Sequence, residues 1–409
     1  MRSLSVALLT WEYPPIVVGG LARHVHALAG ALAGRGHAVT VYTRGDAGTP
    51  EESHDDGVRV VRVQGYPPRI PMDDLVPWVL GLNLALLHRA ERDIRDRPPD
   101  VLHAHDWLVA YAAAALKDLA DVPLVATIHA TEHGRHAGRL FGPTQRFIHA
   151  VERWLTAEAD RVITCSGYMR RELSRVFGVS SAKLDMIPNQ VDAGAFDSDV
   201  GERVRAAVWP SDRPLIVFAG RLQYEKGVQT ILQAVPLIER GAPGVGVLIT
   251  GRGTYQDELV SLAAHLSLDG RVRFEGFVDE ERLRRLYAAA DVVVVPSLYE
   301  PFGLVALESM ASGTPVVAAD TGGLREIVDH GVTGLRFVPG DPGSLARAVV
   351  RVLTDRSLAA GLASRARASL AERGSWADAA SRTADVYRQA FRGGRSESPS
   401  LRAVRDAGR

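Results

Sequence analysis

Residues Val292–Glu308 have the sequence VVVVPSLYEPFGLVALE, a strand pattern followed by a loop and the start of a helix. Its four consecutive valines predict a strand covered on both faces, as in a parallel sheet that lies between layers of helices. Pro296 and Ser297 follow and mark the carboxyl end of that strand. Because open parallel sheets bind ligands at the carboxyl ends of their strands, we expect a pocket immediately after the valines.

Two carboxylates follow this strand. Glu300 lies in a loop before a Pro-Phe-Gly turn, and Glu308 lies about two turns into a helix that we predict to begin near Phe302. The free N–H groups of Phe302, Gly303 and Leu304 would form the helix N-terminus, which favours a negatively charged or hydroxyl-rich ligand. Taken alone, the two acids are also compatible with an ordinary loop and helix surface.

A second motif, GRLQYEKG at Gly220–Gly227, follows the apolar run LIVFA and precedes another predicted helix. Arg221 and Lys226 therefore stand at one strand-to-helix junction. Lysine occurs at only two other positions, so it is not the default cation of this chain. An ammonium beside a guanidinium suits a diphosphate, although Lys226 could instead pair with Glu225 at a solvated helix start.

In TWEYPPIVVGG, Gly19 and Gly20 end the loop after the first predicted strand and open a helix. Backbone N–H groups can therefore approach a phosphate or a sugar closely, unless the pair is simply a helix start. The spacing is not the GxGxxG fingerprint of dinucleotide binding, which argues against a nicotinamide enzyme.

Short apolar strands alternate with longer helical segments in both halves of the chain, although no sequence repeat is present. This alternation predicts two α/β domains, each with a parallel sheet covered by helices on both faces. The predicted strands begin at Ser5, Ala38, Val58, Val101, Leu124, Arg161 and Asp185 in the first half and at Leu215, Gly246, Val272, Val292, Pro315 and Leu335 in the second.

The boundary between the domains is predicted after Pro188–Asp192, where a polar stretch precedes the strand at Leu215; this divides the chain into residues 1–195 and 196–375. A further helix at 376–391 follows the second domain. The tail, residues 392–409, is rich in glycine, serine and arginine and is expected to be disordered.

Composition sets limits on function. The chain has 409 residues, 46% of them hydrophobic, which is enough for two cores. Its 48 basic and 48 acidic side chains balance, so no basic footprint for nucleic acid is present. The single cysteine, Cys165, excludes a disulfide framework within the chain and fits a reducing cytoplasm. It lies in a strand pattern, which favours a packing role.

The first residues, MRSLSVALLT, are too few for a signal peptide and lack a small-residue cleavage site, so we predict a first strand. No apolar run approaches the ~20 residues that span a bilayer. We therefore expect a cytoplasmic protein without a transmembrane segment, and a peripheral membrane contact stays open.

Four motifs resemble the C-terminal half of retaining glycosyltransferases of the glycogen synthase type, glycosyltransferase family 4. They are GRLQYEKG, TGRGTY at 250–255, PSLYEPFGLVALE and TGGLREIV at 321–328. TWEYPPIVVGGLARHV, HAHDWL and TIHATEHGRH resemble the N-terminal half, so the likeness runs from about Val6 to about Phe391. WEYPP, GGLxRHVH and HATExGRH are similar more narrowly to the actinobacterial α-1,4-glucan glucosyltransferases of glycogen and methylglucose polysaccharide assembly.

The resemblance implies the GT-B fold, in which two Rossmann-like domains face a central cleft and the last helix crosses back to the first domain. It implies retaining transfer of glucose from UDP- or ADP-glucose to an α-1,4-glucan acceptor. The nucleotide sugar would be a co-substrate, and neither a metal nor another cofactor would be required. Front-face attack, in which the departing phosphate accepts the acceptor proton, is likewise implied.

The resemblance also implies residue roles. Arg221 and Lys226 would stabilise the leaving diphosphate, Glu300 would contact the sugar near its 3-hydroxyl, and His129 would lie beside the transferred sugar. The implied donor contacts are Gly19, Gly20, Arg221, Lys226, Gly251, Val278, Glu300, Phe302, Gly303, Leu304 and Glu308, the last on the ribose. The implied acceptor contacts are Glu12 and Asp106.

Two patterns could suggest a metal site. His129 with nearby His133 and His136 could mimic a cluster, but ligation needs a convergent third ligand and neutral imidazoles, which the sequence does not supply. The DxD pattern at 197–199 lies in the segment between the domains, away from any strand end. We therefore predict that no metal is bound.

One position departs from the family pattern. Gln190 stands where the family usually has glycine after Pro-Asn, and glutamine tolerates positive φ far less well than glycine does. We expect a different local turn there.

The loops at 251–253 and 276–278 are expected to contact the donor base largely through their backbone. Their sequences therefore do not indicate whether the base is uridine, adenosine or guanosine.

Three alternatives stay open at this point. A mannosyltransferase with a lipid-linked acceptor would share nearly every donor motif, and transfer to a small acceptor is a second alternative. The third is a noncatalytic binder of glycans or nucleotide sugars. The joint presence of Arg221, Lys226, Glu300 and Glu308 argues against the third, because a binder has no need to stabilise a leaving diphosphate.

Overall fold

The computed structural model describes residues 2–64, 70–72, 74–196 and 201–393, except for the side chains of 201–204 and 392–393. The DxD pattern at 197–199 lies outside the described residues. So does the predicted tail, apart from the backbone of its first two residues. Within the described ranges, no helix combines the length and apolar composition that crossing a membrane requires.

The first sheet has eight strands, in the order β3-β4-β2-β1-β5-β6-β7-β8, and every neighbouring pair is parallel except β3 with β4. The strands are β1 (Ser5–Leu9), β2 (Ala38–Arg44), β3 (Glu52–Asp55), β4 (Val58–Val63), β5 (Val101–His105), β6 (Leu124–Ile128), β7 (Arg161–Thr164) and β8 (Leu184–Met186). Every residue of β5 and β6 is buried, as a strand covered on both faces requires.

The second sheet has six strands, all parallel, in the order β11-β10-β9-β12-β13-β14. They are β9 (Leu215–Ala219), β10 (Gly246–Thr250), β11 (Val272–Gly276), β12 (Val292–Val295), β13 (Val316–Ala319) and β14 (Leu335–Phe337). The prediction of two parallel-sheet domains is thus confirmed. The exact boundary at residue 195 stays a prediction.

Helices connect the strands of both sheets. They are α1 (Gly20–Gly34), α2 (Leu75–Asp96), α3 (Ala110–Ala120), α4 (Glu132–Arg135), α5 (Pro143–Glu158), α6 (Gly167–Phe177), α7 (Gly201–Val208), α8 (Val228–Gly241), α9 (Gln256–His265), α10 (Glu280–Ala289), α11 (Leu304–Ala311), α12 (Leu324–Ile327), α13 (Pro342–Thr354), α14 (Arg356–Leu370) and α15 (Trp376–Gly393). Side-chain caps fix several starts; the Ser166 hydroxyl, for example, accepts from the Met169 N–H at the start of α6.

The last helix returns to the first domain. Tyr387 of α15 is fully buried in the cluster that holds Leu8 of β1 and Val25 of α1. Helices α1 and α15 pack against each other on that face of the first sheet. The crossing that the resemblance implies is therefore present, and it ties the end of the chain to the layer that carries the glycine loop.

Two elements differ from the sequence prediction. Strand β3 was not predicted because its residues, ESHD, are polar; it is an antiparallel edge strand, where no apolar alternation is needed. Helix α11 begins at Leu304 rather than near Phe302, because Gly303 has a φ of 117°, outside the helical region. Glu308 consequently lies about one turn into the helix, not two.

Cys165 is buried, in agreement with the strand pattern. Burial raises the pKa of its thiol to about 12, because the thiolate is disfavoured away from water. The side chain therefore packs as a small apolar group and is not a reactive nucleophile.

Gln190 forms a turn that does not use positive φ. Its side chain is buried, and its Nε2 donates to the Pro188 carbonyl at 3.1 Å. The glutamine amide thus closes the loop by a hydrogen bond, where glycine would rely on backbone freedom.

Replacing Gln190 with glycine should lower the free energy of unfolding by about 1 kcal/mol or more, because the unfolded chain gains conformational freedom and the hydrogen bond is lost. Affinity for a nucleotide sugar should stay unchanged. Chemical denaturation and donor titration measure the two effects. A large loss of donor affinity would show instead that this loop belongs to the donor site.

Candidate active site

The glycine loop before α1 is held by Glu12. Its Oε2 accepts the N–H of Val18 at 2.5 Å and of Gly19 at 3.1 Å. Burial raises the pKa of this carboxyl from its usual value, although the two backbone hydrogen bonds oppose that shift. Glu12 therefore positions the loop in this structure, and its implied acceptor contact stays a prediction.

The two glycines face the second domain across the cleft. A Cβ atom on Gly20 would lie 3.1 Å from Leu304 Cδ1, and one on Gly19 would lie 3.9 Å from Arg221 Cδ. Gly19 and Gly20 begin a helix of the first domain, whereas Arg221 follows β9 and Leu304 begins α11. Four residues predicted to bind the donor thus lie together, with backbone approach on one side and a cation on the other.

Glu308 is held from both domains. Arg23 of α1 donates from Nη1 to Glu308 Oε1, and the Tyr287 hydroxyl donates to Oε2 at 2.9 Å. Burial raises the pKa of Tyr287 well above its usual value, so its hydroxyl remains a donor. Since a carboxylate offers about four lone-pair sites, two remain free to accept further hydrogen bonds.

Sequence reasoning missed Arg23 and Tyr287. A signal for Arg23 was available: a cation in the first turn of a helix opposes the helix dipole, so it needs a partner elsewhere. No comparable signal marks Tyr287, which reads as an ordinary apolar position of α10.

Replacing Arg23 with alanine should raise KM for the nucleotide sugar by about tenfold, which corresponds to about 1.4 kcal/mol. The reason is that Glu308 loses the partner that orients it and ties α1 to the second domain. Steady-state kinetics measure the effect. Arg35→Ala, on the exposed end of the same helix, serves as the matched control. An unchanged or lower KM for Arg23→Ala contradicts this role.

Lys226 pairs with Glu300 across the crevice. Nζ lies 2.8 Å from Oε2, and the Ser297 hydroxyl donates to the same oxygen at 3.1 Å. The alternative pairing of Lys226 with Glu225 is not formed; Glu225 instead lies 3.8 Å from Arg221. Both members of the Lys226 pair are largely buried, so the interaction is shielded from water.

The backbone around Glu300 is held on two sides. Its carbonyl accepts from the Gly323 N–H at 2.8 Å, in the TGG turn before α12. On the other side, the Leu298 N–H donates to the Glu225 carbonyl at 2.8 Å. The loops that carry Glu300 and Lys226 are therefore joined through their backbones, which fixes the two charged groups relative to each other.

The loops expected to read the donor base meet at the carboxyl ends of β9, β10 and β11. Gly251, with a φ of 122°, passes so close to Gly220 that a Cβ atom would lie 1.9 Å from the Gly220 carbonyl oxygen. Its N–H donates to the Gly276 carbonyl at 2.7 Å. Val278 lies farther along this edge, half-buried beside exposed Phe277.

Asp106 and His129 end neighbouring strands and contact each other. Asp106 follows β5 with φ 62° and ψ 177°, a combination essentially confined to glycine, and such strain is characteristic of functional sites. Its Oδ1 accepts from the His129 N–H at 2.8 Å. Burial raises the pKa of Asp106 to about 6 and lowers that of His129 to about 3. His129 is therefore a neutral imidazole, suited to hydrogen bonding with a sugar hydroxyl.

The raised pKa of Asp106 makes stability depend on pH. The pKa of Asp106 is about 6 in the folded state and 3.8 in an ordinary aspartate, so the folded state binds the proton more tightly. The resulting stabilisation of the folded state is fully present below about pH 4 and is lost as the pH rises through about 6. Asp106→Asn should remove this pH dependence, so that between pH 4 and pH 7 the parent loses more stability than the variant, by about 3 kcal/mol at most.

Denaturant unfolding of the parent and Asp106→Asn at pH 4 and pH 7 measures the difference. Asp118→Asn, which replaces an exposed aspartate on α3, is the matched control and should leave the pH dependence unchanged. Equal pH dependence in the parent and in Asp106→Asn contradicts the assignment.

The loop that precedes α11 is anchored in the first domain. The Tyr299 hydroxyl accepts from the Thr131 N–H and donates to Glu172 Oε1, each at 3.1 Å. The Ser166 hydroxyl donates to the Pro301 carbonyl at 2.6 Å. The residues on both sides of Glu300 are therefore held by the first domain, a function that sequence reasoning did not assign to Tyr299.

The histidines that converge differ from those considered in the sequence. His136 pairs with Glu132, its Nε2 lying 3.0 Å from Oε1. In the part of the chain that the structure describes, the group whose ligand atoms come within 4.8 Å of one another is His24, His105 and His129. His24 and His105 reach His129 from α1 and β5, a convergence that spacing along the chain does not indicate. That no metal is bound stays a prediction.

Comparisons with known proteins agree with this geometry. The family model described as Glycosyltransferase Family 4 matches residues 18–194, and the one described as Glycosyl transferases group 1 matches residues 201–369. The second match contains all four C-terminal motifs, and the first contains HAHDWL, TIHATEHGRH and the glycine loop from Val18 onward.

Three known proteins are informative. The glycogen synthase of Mycobacterium tuberculosis (strain ATCC 25618 / H37Rv) is 42% identical, over 99% of this chain and 99% of that protein. The D-inositol 3-phosphate glycosyltransferase of Mycolicibacterium smegmatis is 34% identical, over 99% of this chain and 95% of that protein. The structure of sucrose-phosphate synthase from Thermosynechococcus elongatus is similar with a TM-score of 0.83 at 29% identity, over 95% and 99%. The chain therefore belongs to the family 4 glycosyltransferases and has their GT-B fold.

Proposed function

We propose that this glycosyltransferase transfers glucose from UDP- or ADP-glucose to the non-reducing end of an α-1,4-glucan, with retention of configuration and without a metal. The observation that carries the proposal is the Lys226–Glu300 pair, 2.8 Å apart, in a crevice shared with Arg221 and opposite the glycine loop. The 42% identity to a glycogen synthase, over 99% of the chain, supports glucose and glucan as substrates.

The donor would lie between the two domains. Arg221 and Lys226 would neutralise the diphosphate, one as a planar fork and the other as a point charge, while the N–H groups at the start of α1 approach from the opposite side. Two fixed cations supply the electrostatic stabilisation that a metal ion supplies elsewhere. Glu308, oriented by Arg23 and Tyr287, would bind the ribose hydroxyls.

The chemical step would be a front-face substitution. The bond between the anomeric carbon and the phosphate oxygen breaks, and the acceptor hydroxyl forms its new bond on the same face. The departing phosphate oxygen accepts the hydroxyl proton. Glu300 would stabilise positive charge at the anomeric carbon, and neutral His129 would hydrogen-bond the sugar. Retaining glycosidases use a carboxylate nucleophile instead, and Glu300 is held here by Lys226.

Transfer to a small acceptor is the second candidate. It is favoured by one observation: a relative named D-inositol 3-phosphate glycosyltransferase is 34% identical over 99% of this chain. Such an enzyme would keep the donor side described above and differ only in the acceptor. Glu12 and Asp106 stay proposed acceptor contacts under either candidate, and a cytoplasmic location stays a prediction.

A matrix of donors and acceptors tests the proposal. UDP-glucose, ADP-glucose and GDP-mannose are each supplied with a maltooligosaccharide or D-inositol 3-phosphate, with and without EDTA. We expect a glucose donor to be consumed with the maltooligosaccharide at the same rate in EDTA. Turnover only with GDP-mannose, turnover only with the small acceptor, or loss of turnover in EDTA each overturns the corresponding part of the proposal.

A further inference from the structure

Three histidines from separate elements converge beside the candidate active site. His24 lies on α1, His105 ends β5, and His129 follows β6. Their ligand atoms lie within 4.8 Å of one another. The ring centroids of His24 and His129 are 4.7 Å apart, those of His24 and His105 5.5 Å, and those of His105 and His129 5.4 Å. Three imidazoles thus surround one point.

Several nitrogens of this group lack hydrogen-bond partners, although His105 Nδ1 and His129 Nε2 are hydrogen-bonded to each other at 3.1 Å. Both ring nitrogens of His24 and Nε2 of His105 are buried and make no hydrogen bond among the described residues. The Asn189 side chain lies close enough to His24 to oppose the lowering of its pKa, and Oδ1 of Asn189 makes no other hydrogen bond among these residues. A buried polar atom without a partner costs about 1–3 kcal/mol, so several in one place indicate a missing occupant.

His103 is a buried histidine of the same strand whose ring nitrogens both have hydrogen-bond partners, and it serves as a comparison. It lies on β5, two residues before His105, and is fully buried. Its Nδ1 lies 2.8 Å from the Tyr387 hydroxyl and its Nε2 lies 2.7 Å from the Thr127 hydroxyl. Both of its nitrogens are satisfied by side chains, in contrast with those of His24 and with Nε2 of His105.

The three imidazoles have the protonation state that a metal of the zinc type requires of its ligands. Burial lowers the pKa of His24, His105 and His129, so each imidazole is neutral and keeps a free lone pair. Three nitrogen ligands suit Zn²⁺ or Co²⁺, whereas Mg²⁺ and Ca²⁺ require oxygen ligands. His105 Nδ1 and His129 Nε2 are hydrogen-bonded at 3.1 Å, so one ion bound to both would replace that hydrogen bond and leave the N–H of each ring on its other nitrogen.

We propose that His24, His105 and His129 bind one divalent ion of the zinc type. The fourth position of a tetrahedral site would be filled by water or by the amide oxygen of Asn189. We expect the ion to inhibit turnover rather than to serve as a cofactor, because it binds His129, which would lie beside the transferred sugar. This consequence for turnover rests on the proposed function, whereas binding of the ion does not.

Binding is measured directly on the full chain after treatment with EDTA and dialysis. Zn²⁺ is titrated by calorimetry, and Co²⁺ by the visible absorption of a tetrahedral nitrogen-ligated site. We expect a single equivalent to bind. His105→Gln and His24→Gln should each weaken binding by at least about 100-fold, since loss of a second-shell partner alone costs about 10- to 100-fold. His88→Gln, on the exposed face of α2, is the matched control and should bind normally.

Circular dichroism and thermal melting establish that each variant is folded. If one variant fails to fold, the other variant and the Co²⁺ spectrum of the parent still decide the question. The proposal is overturned if the parent shows no saturable binding, or if folded His105→Gln and His24→Gln both bind as the parent does. Because these readouts need no turnover, failure of glucose transfer would overturn the proposed function alone.

Discussion

Replacing Lys226 with alanine should reduce kcat by about 100- to 1,000-fold, the cost of removing one preorganised group that stabilises charge in a transition state. The ammonium would lie beside the leaving diphosphate, where negative charge increases as the glycosidic bond breaks. Its loss also leaves the largely buried Glu300 carboxylate without its ion-pair partner, which raises the cost further. Single-turnover kinetics with a nucleotide glucose measure the chemical step.

The chain offers a matched control for this substitution. Lys183 lies in the first domain and outside the predicted donor site; its Nζ donates to the Ala157 carbonyl at 2.7 Å. Lys183→Ala removes the same functional group and should leave kcat unchanged. Lys226→Arg keeps a cation but not its compact geometry and should recover only part of the rate. Unchanged turnover in Lys226→Ala would contradict the role of Lys226 in stabilising the leaving diphosphate.

Glu300→Gln should reduce kcat by a similar factor, about 100- to 1,000-fold, because the amide keeps the shape of the side chain but not its charge. Glu308→Gln should behave differently. A ribose contact is made equally in the ground state and the transition state, so its loss raises KM and leaves kcat nearly unchanged. Steady-state kinetics of the two variants separate an effect on chemistry from an effect on binding.

The control for this pair is Glu281→Gln, which changes an exposed acid of α10 paired with Arg285. It should match the parent in both constants. If Glu300→Gln changes only KM, Glu300 binds substrate without supporting the reaction. If Glu308→Gln changes kcat alone, Glu308 contacts the reacting groups and not the ribose.

Local patterns in the sequence were sufficient for the architecture. Runs of β-branched residues such as Val292–Val295 predict buried parallel strands, and the carboxyl ends of such strands predict where a ligand lies. The scarcity of lysine pointed to Lys226, and the structure places it beside Glu300. The family resemblance supplied the residue roles, which geometry alone does not assign.

Contacts between the domains could not be predicted in this way. Arg23 and Glu308 are separated by 285 positions, and their pairing depends on how two independently formed sheets face each other. Tyr299 likewise reaches Glu172 across the same junction. Hydrophobic periodicity describes each sheet by itself and contains no information about their relative orientation.

The histidine group was missed for a related reason. His24, His105 and His129 lie on three elements whose convergence follows from the strand order β1-β5-β6 and the packing of α1, not from spacing along the chain. Spacing instead drew attention to His133 and His136, which are near His129 in sequence only. A ligand set built from separate strands is visible only after the topology is known.

The chemical structure of the reaction product distinguishes α-glucan elongation with retention from every alternative. The protein is incubated with UDP- or ADP-glucose and a maltooligosaccharide in EDTA, and the chain length and anomeric configuration of the product are determined by mass spectrometry and NMR. We predict an acceptor lengthened by glucose through a new α-1,4 linkage. A β-linked product would contradict retention, and an acceptor that is not lengthened by either donor would contradict the assignment as an α-glucan glucosyltransferase.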